Sequence, residues 1–150
     1  MEENRAETED SLFAYNSIMK ENDNIYRDLA RKLGLSECGL WILYVLRTEH
    51  VPPVPSEICA VLHQSKQTIH SALKKLEADG CIELTQGKDH RSKQILLTDA
   101  GICLCRNTVD RVIAAEQAAL AGLSGEERKN FLDVFNKFTT LLKEQAARLS

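Results

Sequence analysis

Lys66, Gln67, His70, Ser71 and Lys74 recur along one short stretch at helical spacing, with Ser65 and Thr68 beside them. On a helix they form one face of two ammonium groups, an amide, a hydroxyl and an imidazole, with no carboxylate among them. Such a face offers cations to a polyanion and hydrogen-bonding groups to base edges, the two kinds of contact by which a protein sits on DNA and reads it. On this pattern Gln67, Thr68, His70 and Ser71 approach bases while Lys66 and Lys74 hold phosphates. A polar helix face taken alone is usually just solvated, so the elements around it must decide.

The element that carries this face runs from Ser65 to Gly80. Ile69, Ala72, Leu73 and Leu76 make an apolar stripe on its other side. Ser65 is placed to cap the first turn, and Asp79-Gly80 to end the last, because glycine tolerates a left-handed stop. Upstream, Pro55-Ser56-Glu57 opens a short helix with Ile58, Val61 and Leu62 as its apolar residues. His63-Gln64 leaves a turn short enough for a helix-turn-helix. Downstream, Cys81 to Thr85 alternates as a strand does, and Lys93 to Leu97 makes a second strand with Ile95 and Leu97 on one face. Between them Gln86 to Ser92 is too polar to bury and predicts an exposed tip carrying Lys88 and Arg91, with Lys93 at its edge. Arginine on such a tip suits the negative potential of a minor groove. Helix, turn, polar-faced helix and charged hairpin in that order predict a winged helix-turn-helix.

With these residues in view the chain resembles the MarR family of transcriptional regulators. The resemblance rests on the run ending Leu76-Glu77-Ala78-Asp79-Gly80, on Asp89-His90-Arg91-Ser92, and on Leu97-Thr98-Asp99-Ala100-Gly101. It extends over essentially the whole chain. It implies that Arg91 enters the minor groove and that Asp89 orients it. It also implies an interlocked homodimer built from the first and last helices, and hence a pseudo-palindromic operator with half-sites about one helical turn apart. A ligand-responsive regulator, more often a repressor, follows at family level, with a small-molecule effector in a crevice between the arms and the reading heads. Ser71 stands where many relatives carry arginine, which makes this chain's base preference its own.

The flanks fit that scheme. Leu12, Tyr15, Met19, Tyr26, Leu29 and Leu33 form a stripe over about 11–33, after an acidic and frayed first ten residues; Gly34 ends that helix and Ser36 caps the next. Glu37 to Thr48 is apolar nearly all round and should be the buried centre. One long helix after Thr98 carries Ile102, Cys105, Val109, Val112, Ile113 and Leu120 as far as Gly122. Ser124-Gly125-Glu126-Glu127 is a capping box for a last helix with Phe131, Val134, Phe135, Phe138, Leu141 and Leu142 on its stripe. The expected architecture is mostly α with a small β-wing. Residues 36–98 form the winged helix-turn-helix DNA-binding domain, and 1–35 and 99–150 a helical dimerisation region.

The net charge of −3 is not that of a generic nucleic-acid binder. Its distribution is more telling: residues 63–94 hold six Lys and Arg against four Asp and Glu, whereas the first ten residues hold five acids against Arg5. A local basic patch on an acidic chain still steers phosphate binding, and its modest size implies affinity that falls with salt. Cys38, Cys59, Cys81, Cys103 and Cys105 are odd in number, and neither a signal peptide nor a membrane run is present, which reads as a reduced cytoplasmic protein. Cys103 and Cys105 lie two apart, so on a helix they diverge and ligate a common ion poorly. The family's peroxide-sensing branch places its cysteine near the start of the first long helix, where this chain has none. His50, His63, His70 and His90 all lie off the helix on which its zinc-sensing branch needs them. No phosphate-cradling loop, nucleophile elbow or zinc-protease motif occurs, so neither an enzyme nor a cofactor is expected. The remaining alternatives are a winged-helix protein-interaction module and a cysteine-based redox-responsive regulator.

Overall fold

A computed structural model describes residues 1–86 and 93–149. Seven helices and a two-stranded sheet follow in the order α1 (Glu2–Lys32), α2 (Glu37–Thr48), α3 (Pro55–Leu62), α4 (Lys66–Ala78), β1 (Ile82–Gln86), β2 (Lys93–Leu97), α5 (Asp99–Asn107), α6 (Val109–Ala121) and α7 (Gly125–Ala147). They divide into two compact units, Met1–Arg111 and a second beginning at Val112.

The first unit is built around α2. Leu40, Ile42 and Leu43 are fully buried, which is why that helix reads as apolar on nearly every side. Ile58 of α3, Ile69 and Leu73 of α4, and Ile95 of β2 complete the core. Ser36 Oγ caps α2 by accepting from Gly39 N at 2.9 Å. Strand β1 pairs antiparallel with β2, Ile82 opposite Leu97 and Leu84 opposite Ile95. The proline connector before α3 lines up along this hairpin: Ile95 N donates to Pro53 O at 2.9 Å and Gln94 Nε2 to Pro52 O at 3.2 Å. Proline lacks a donor but keeps its carbonyl, so it can accept from the hairpin without demanding a partner in return.

Three helix ends close with the same pair of backbone bonds or part of it. After α1, Leu35 N reaches Ala30 O and Gly34 N reaches Arg31 O, with Gly34 at φ 72°. After α4, Cys81 N reaches Leu76 O and Gly80 N reaches Glu77 O, with Gly80 at φ 73°. The turn between α3 and α4 uses His63 instead, at φ 51°, with Gln64 N donating to Cys59 O. A left-handed residue with a Cβ costs about 1–2 kcal/mol, so this turn is set by the packing of the two helices and not by its own residue.

Two departures from sequence expectation stand out. The first ten residues are not a frayed end: α1 is helical from Glu2. Acidic residues favour the positive end of the helix dipole, and Arg5 Nε pairs with Glu9 Oε1 at 3.2 Å one turn on. The single long helix expected after Thr98 is two helices, broken at Thr108 (φ −129°, ψ −90°). The Thr108 hydroxyl donates back to Leu104 O at 2.6 Å, its side chain is buried, and Arg111 N takes the Thr108 carbonyl in a tightened turn. Back-bonding by a β-branched residue competes with the regular ladder, and apolar periodicity cannot reveal that.

In the second unit, Ser124 Oγ accepts from Glu127 N at 3.1 Å while Glu127 Oε1 accepts from Ser124 N at 2.9 Å, the reciprocal cap that the sequence spells out. Hydrogen bonding from the Ser124 amide, and then from its hydroxyl, holds the Glu127 carboxyl below its ordinary pKa. Arg128 Nη1 donates to Leu120 O and Leu123 O, closing the end of α6. Helix α7 buries none of its residues.

Candidate nucleic-acid interface

Helix α4 is anchored by one face. Ile69, Leu73 and Leu76 are buried, and Ala72 between them is half-buried. Each fully buried branched residue contributes about 1.5–3 kcal/mol of apolar transfer, enough to fix the rotation of so short a helix. The opposite face is thereby turned outward: Lys66, Gln67, His70, Ser71 and Lys74 are all exposed. Sequence reasoning therefore found both faces correctly.

At the start of the helix the two hydroxyls combine. Ser65 Oγ accepts from Thr68 N at 3.2 Å and lies 2.8 Å from Thr68 Oγ1. Ser65 is the N-cap as expected. The Thr68 hydroxyl shares in that cap, which ties it to the end of the helix more than to an outward reading position. Lys93 is exposed at the first position of β2, opposite Gln86. Lys88, Asp89 and Arg91 lie outside the described residues.

The base of the hairpin is locked to the end of α4 by the residues of the two flanking motifs. Thr98 N donates to Cys81 O at 3.0 Å, and its hydroxyl donates to Gly80 O. The same hydroxyl accepts from Gly101 N at 3.0 Å, capping α5. Gly101 is buried, and a Cβ there would overlap the Cys81 carbonyl oxygen. Asp79-Gly80 and Thr98-Asp99-Ala100-Gly101 are thus two halves of one joint, which sets where the hairpin leaves the reading helix.

That joint, the exposed face of α4 and the hairpin lie within or beside the stretch, residues 40–92, that a MarR-family sequence profile matches. Residues 40–92 match the MarR family, and the fold around them is that of a MarR-type winged helix-turn-helix. Among relatives, the uncharacterised HTH-type transcriptional regulator YwoH of Bacillus subtilis (strain 168) is 29% identical over 105 residues, 70% of this chain and 76% of its own. The MarR family regulator NMB1585 of Neisseria meningitidis superposes with a TM-score of 0.80 at 17% identity, over 93% of this chain and 99% of its own. The S. aureus MepR–DNA complex superposes with a TM-score of 0.70 at 21% identity, over 87% of this chain and 94% of its own. At these identities the two structural likenesses are likenesses of fold.

One feature of this unit escaped sequence reasoning. Arg47, in the last turn of α2, grips Asp110 at the start of α6 through Nε–Oδ1 and Nη2–Oδ2, each at 2.9 Å. The two are 63 residues apart, so no local pattern signals the pair. Hydrogen bonding from Arg47 holds the Asp110 carboxyl below its ordinary pKa, and the same bond raises that of Arg47. The cysteines are set as their spacing implies. Cys81 and Cys105 are buried and Cys103 is exposed, so the two members of Cys103-x-Cys105 do diverge. Burial pushes the Cys105 thiol up to about 11, and raises those of Cys38 and Cys81. Among the described residues no three His, Cys, Asp or Glu are grouped to hold a metal ion, and no helix is long and apolar enough to cross a membrane.

Proposed function

We propose that this regulator is a cytoplasmic homodimeric repressor that reads a pseudo-palindromic operator and leaves it when a small molecule binds. The observation that carries the reading is the exposed face of α4, whose cations and hydrogen-bonding groups stand opposite a buried apolar stripe. Gln67, His70 and Ser71 meet base edges, with Thr68 beside them. Lys66, Lys74, Lys88 and Lys93 hold phosphates, Ser65 fixes the start of the helix, and Arg91, oriented by Asp89, enters the minor groove. Residues 36–98 form the reading head, and 1–35 with 99–150 supply the dimer. The exposed apolar side chains of α7, Phe131, Phe135, Phe138, Leu141 and Leu142, support a second copy as the partner that covers them. A fold shared with a protein solved on DNA supports the binding mode.

A cysteine-based switch is the less supported alternative, since burial raises the thiol pKa of Cys38, Cys81 and Cys105 and so disfavours the reactive thiolate at those three. Selection of duplexes from a random library, repeated with Gln67, Lys74 and Arg91 all changed to alanine, tests the reading. Enrichment of a pseudo-palindrome by the parent and its loss in the still-dimeric variant is the expected result. Unchanged binding by the variant rules out the assigned face. No enrichment by a folded, dimeric parent favours the winged helix as a protein-interaction module.

A further inference from the structure

A cleft of about 510 Å³ opens where the N-terminal turn of α2 meets the α3–α4 turn. That volume lies within the roughly 300–1,000 Å³ typical of small-molecule sites. Its walls differ in chemistry. Val61 and Leu62 of α3 make one side apolar, and Val61 is 56% exposed, far more than a core valine. Trp41 of α2 makes another. Its indole packs against Tyr26 at 4.9 Å and Tyr44 at 5.4 Å between ring centroids, which supports its placement. Glu37 stands one helical turn before Trp41 and brings the one charge among the described lining residues. Its carboxylate has Arg27 Nε at 3.6 Å, but both groups are more than half exposed and the pair is screened and loose. Gln64 and Thr68 supply hydrogen-bonding groups at the remaining edge.

An aromatic wall beside a carboxylate, with no cation among the described lining residues, selects by charge. A protonated amine gains from both the ring face and the acid, whereas an organic anion meets Glu37. Position adds a consequence. Thr68 belongs to the first turn of α4 and shares the Ser65 cap, so a molecule in the cleft lies against the start of the reading helix. We infer that this cleft, inside the reading head itself, binds a protonated aromatic amine, and that occupancy excludes DNA by direct competition at the start of α4. The second half rests on the DNA-binding reading above; the first half does not.

Trp41 is the only tryptophan of the chain, so its emission reports occupancy without DNA. The intact protein is titrated with 4-phenylbutylamine and with 4-phenylbutyrate, which share a ring and a chain and differ in charge. A saturable change with the amine, little with the acid, and an affinity about fivefold weaker in Glu37→Gln support the site. Glu37 is exposed, so that variant keeps the fold, which far-ultraviolet circular dichroism verifies. No saturation with the amine overturns the site, and equal response to both probes or no effect of Glu37→Gln overturns its charge selection. On the selected operator duplex, release by the amine in proportion to Trp41 occupancy supports competition; a ternary complex overturns it. A parent that binds no duplex overturns the DNA-binding reading and with it the competition, while the Trp41 titration still decides whether the cleft binds the amine.

Discussion

Lys74 and Gln67 sit within one turn or two of each other on the exposed face of α4, yet they are expected to fail differently when removed. Lys74→Ala should weaken all duplexes about equally and lower the dependence of log affinity on log salt by about one unit for each half-site, because a phosphate contact releases a counterion and carries no sequence information. Gln67→Ala should keep the salt slope and relax one base position by about 1–3 kcal/mol. Fluorescence anisotropy across a salt series separates the two, and an unchanged slope in Lys74→Ala removes it from the phosphate contacts. Arg47 and Asp110 pose a stability question at the same scale. The pair is two-pronged and about one-third exposed, so Asp110→Asn should cost about 1–2 kcal/mol near neutral pH. Asp110 has its pKa lowered by folding, so its contribution is present in full above the ordinary value of 3.8 and is lost as pH falls through the folded value. Arg47 stays charged throughout. Urea unfolding should therefore show the gap between parent and variant closing as pH falls below 3.8; a gap that holds at acid pH would mean the carboxylate is not its source.

At the scale of elements, the turn between α3 and α4 is where backbone conformation and residue type disagree. His63 sits at φ 51°, whereas Gly34 and Gly80 occupy the equivalent places elsewhere. His63→Gly should hold or raise stability by up to about 1 kcal/mol, the relief of the left-handed cost being partly offset by a freer unfolded chain. His63→Ile should lower it by about 1 kcal/mol, since a β-branched residue fits that region worst. Thermal melts of the two variants give the sign directly, and a stabilising isoleucine would contradict the geometry. The glycine stops were legible because glycine announces them. His63 was not, because the two helices dictate the turn and histidine only tolerates it. The break at Thr108 was hidden for a related reason: the apolar spacing of Cys105, Val109 and Val112 runs across it unchanged, and only the buried hydroxyl reveals the interruption.

For the molecule as a whole, the decisive quantity is the apolar surface that one chain leaves uncovered. Phe135 and Phe138 are 39% and 38% exposed on α7, with Leu141 and Leu142 further along the same stripe. Replacing both phenylalanines by glutamate should leave the first unit folded, since neither belongs to it, and should convert the proposed dimer to a monomer in light scattering behind gel filtration. Operator affinity should drop on the order of 10²-fold, because a lone reading head loses the effective concentration that its twin provides. A variant that stays dimeric with operator affinity intact would place the dimer surface elsewhere.

The stripe of Ile69, Leu73 and Leu76, the caps at Ser36, Ser65 and Ser124, and the stops at Gly34 and Gly80 were determined by the sequence alone. Each is a local rule, in which a residue acts on the backbone within about one turn or repeats with the helical period. That was enough to order the winged helix and to face α4 outward. What only the tertiary structure decided joins distant residues: Arg47 to Asp110, the Pro53 carbonyl to Ile95, the missing Cβ of Gly101 to the Cys81 carbonyl, and Glu37 and Trp41 to the α3–α4 turn. These depend on which elements meet, and that is settled by the burial of the whole core rather than by any residue's own preference.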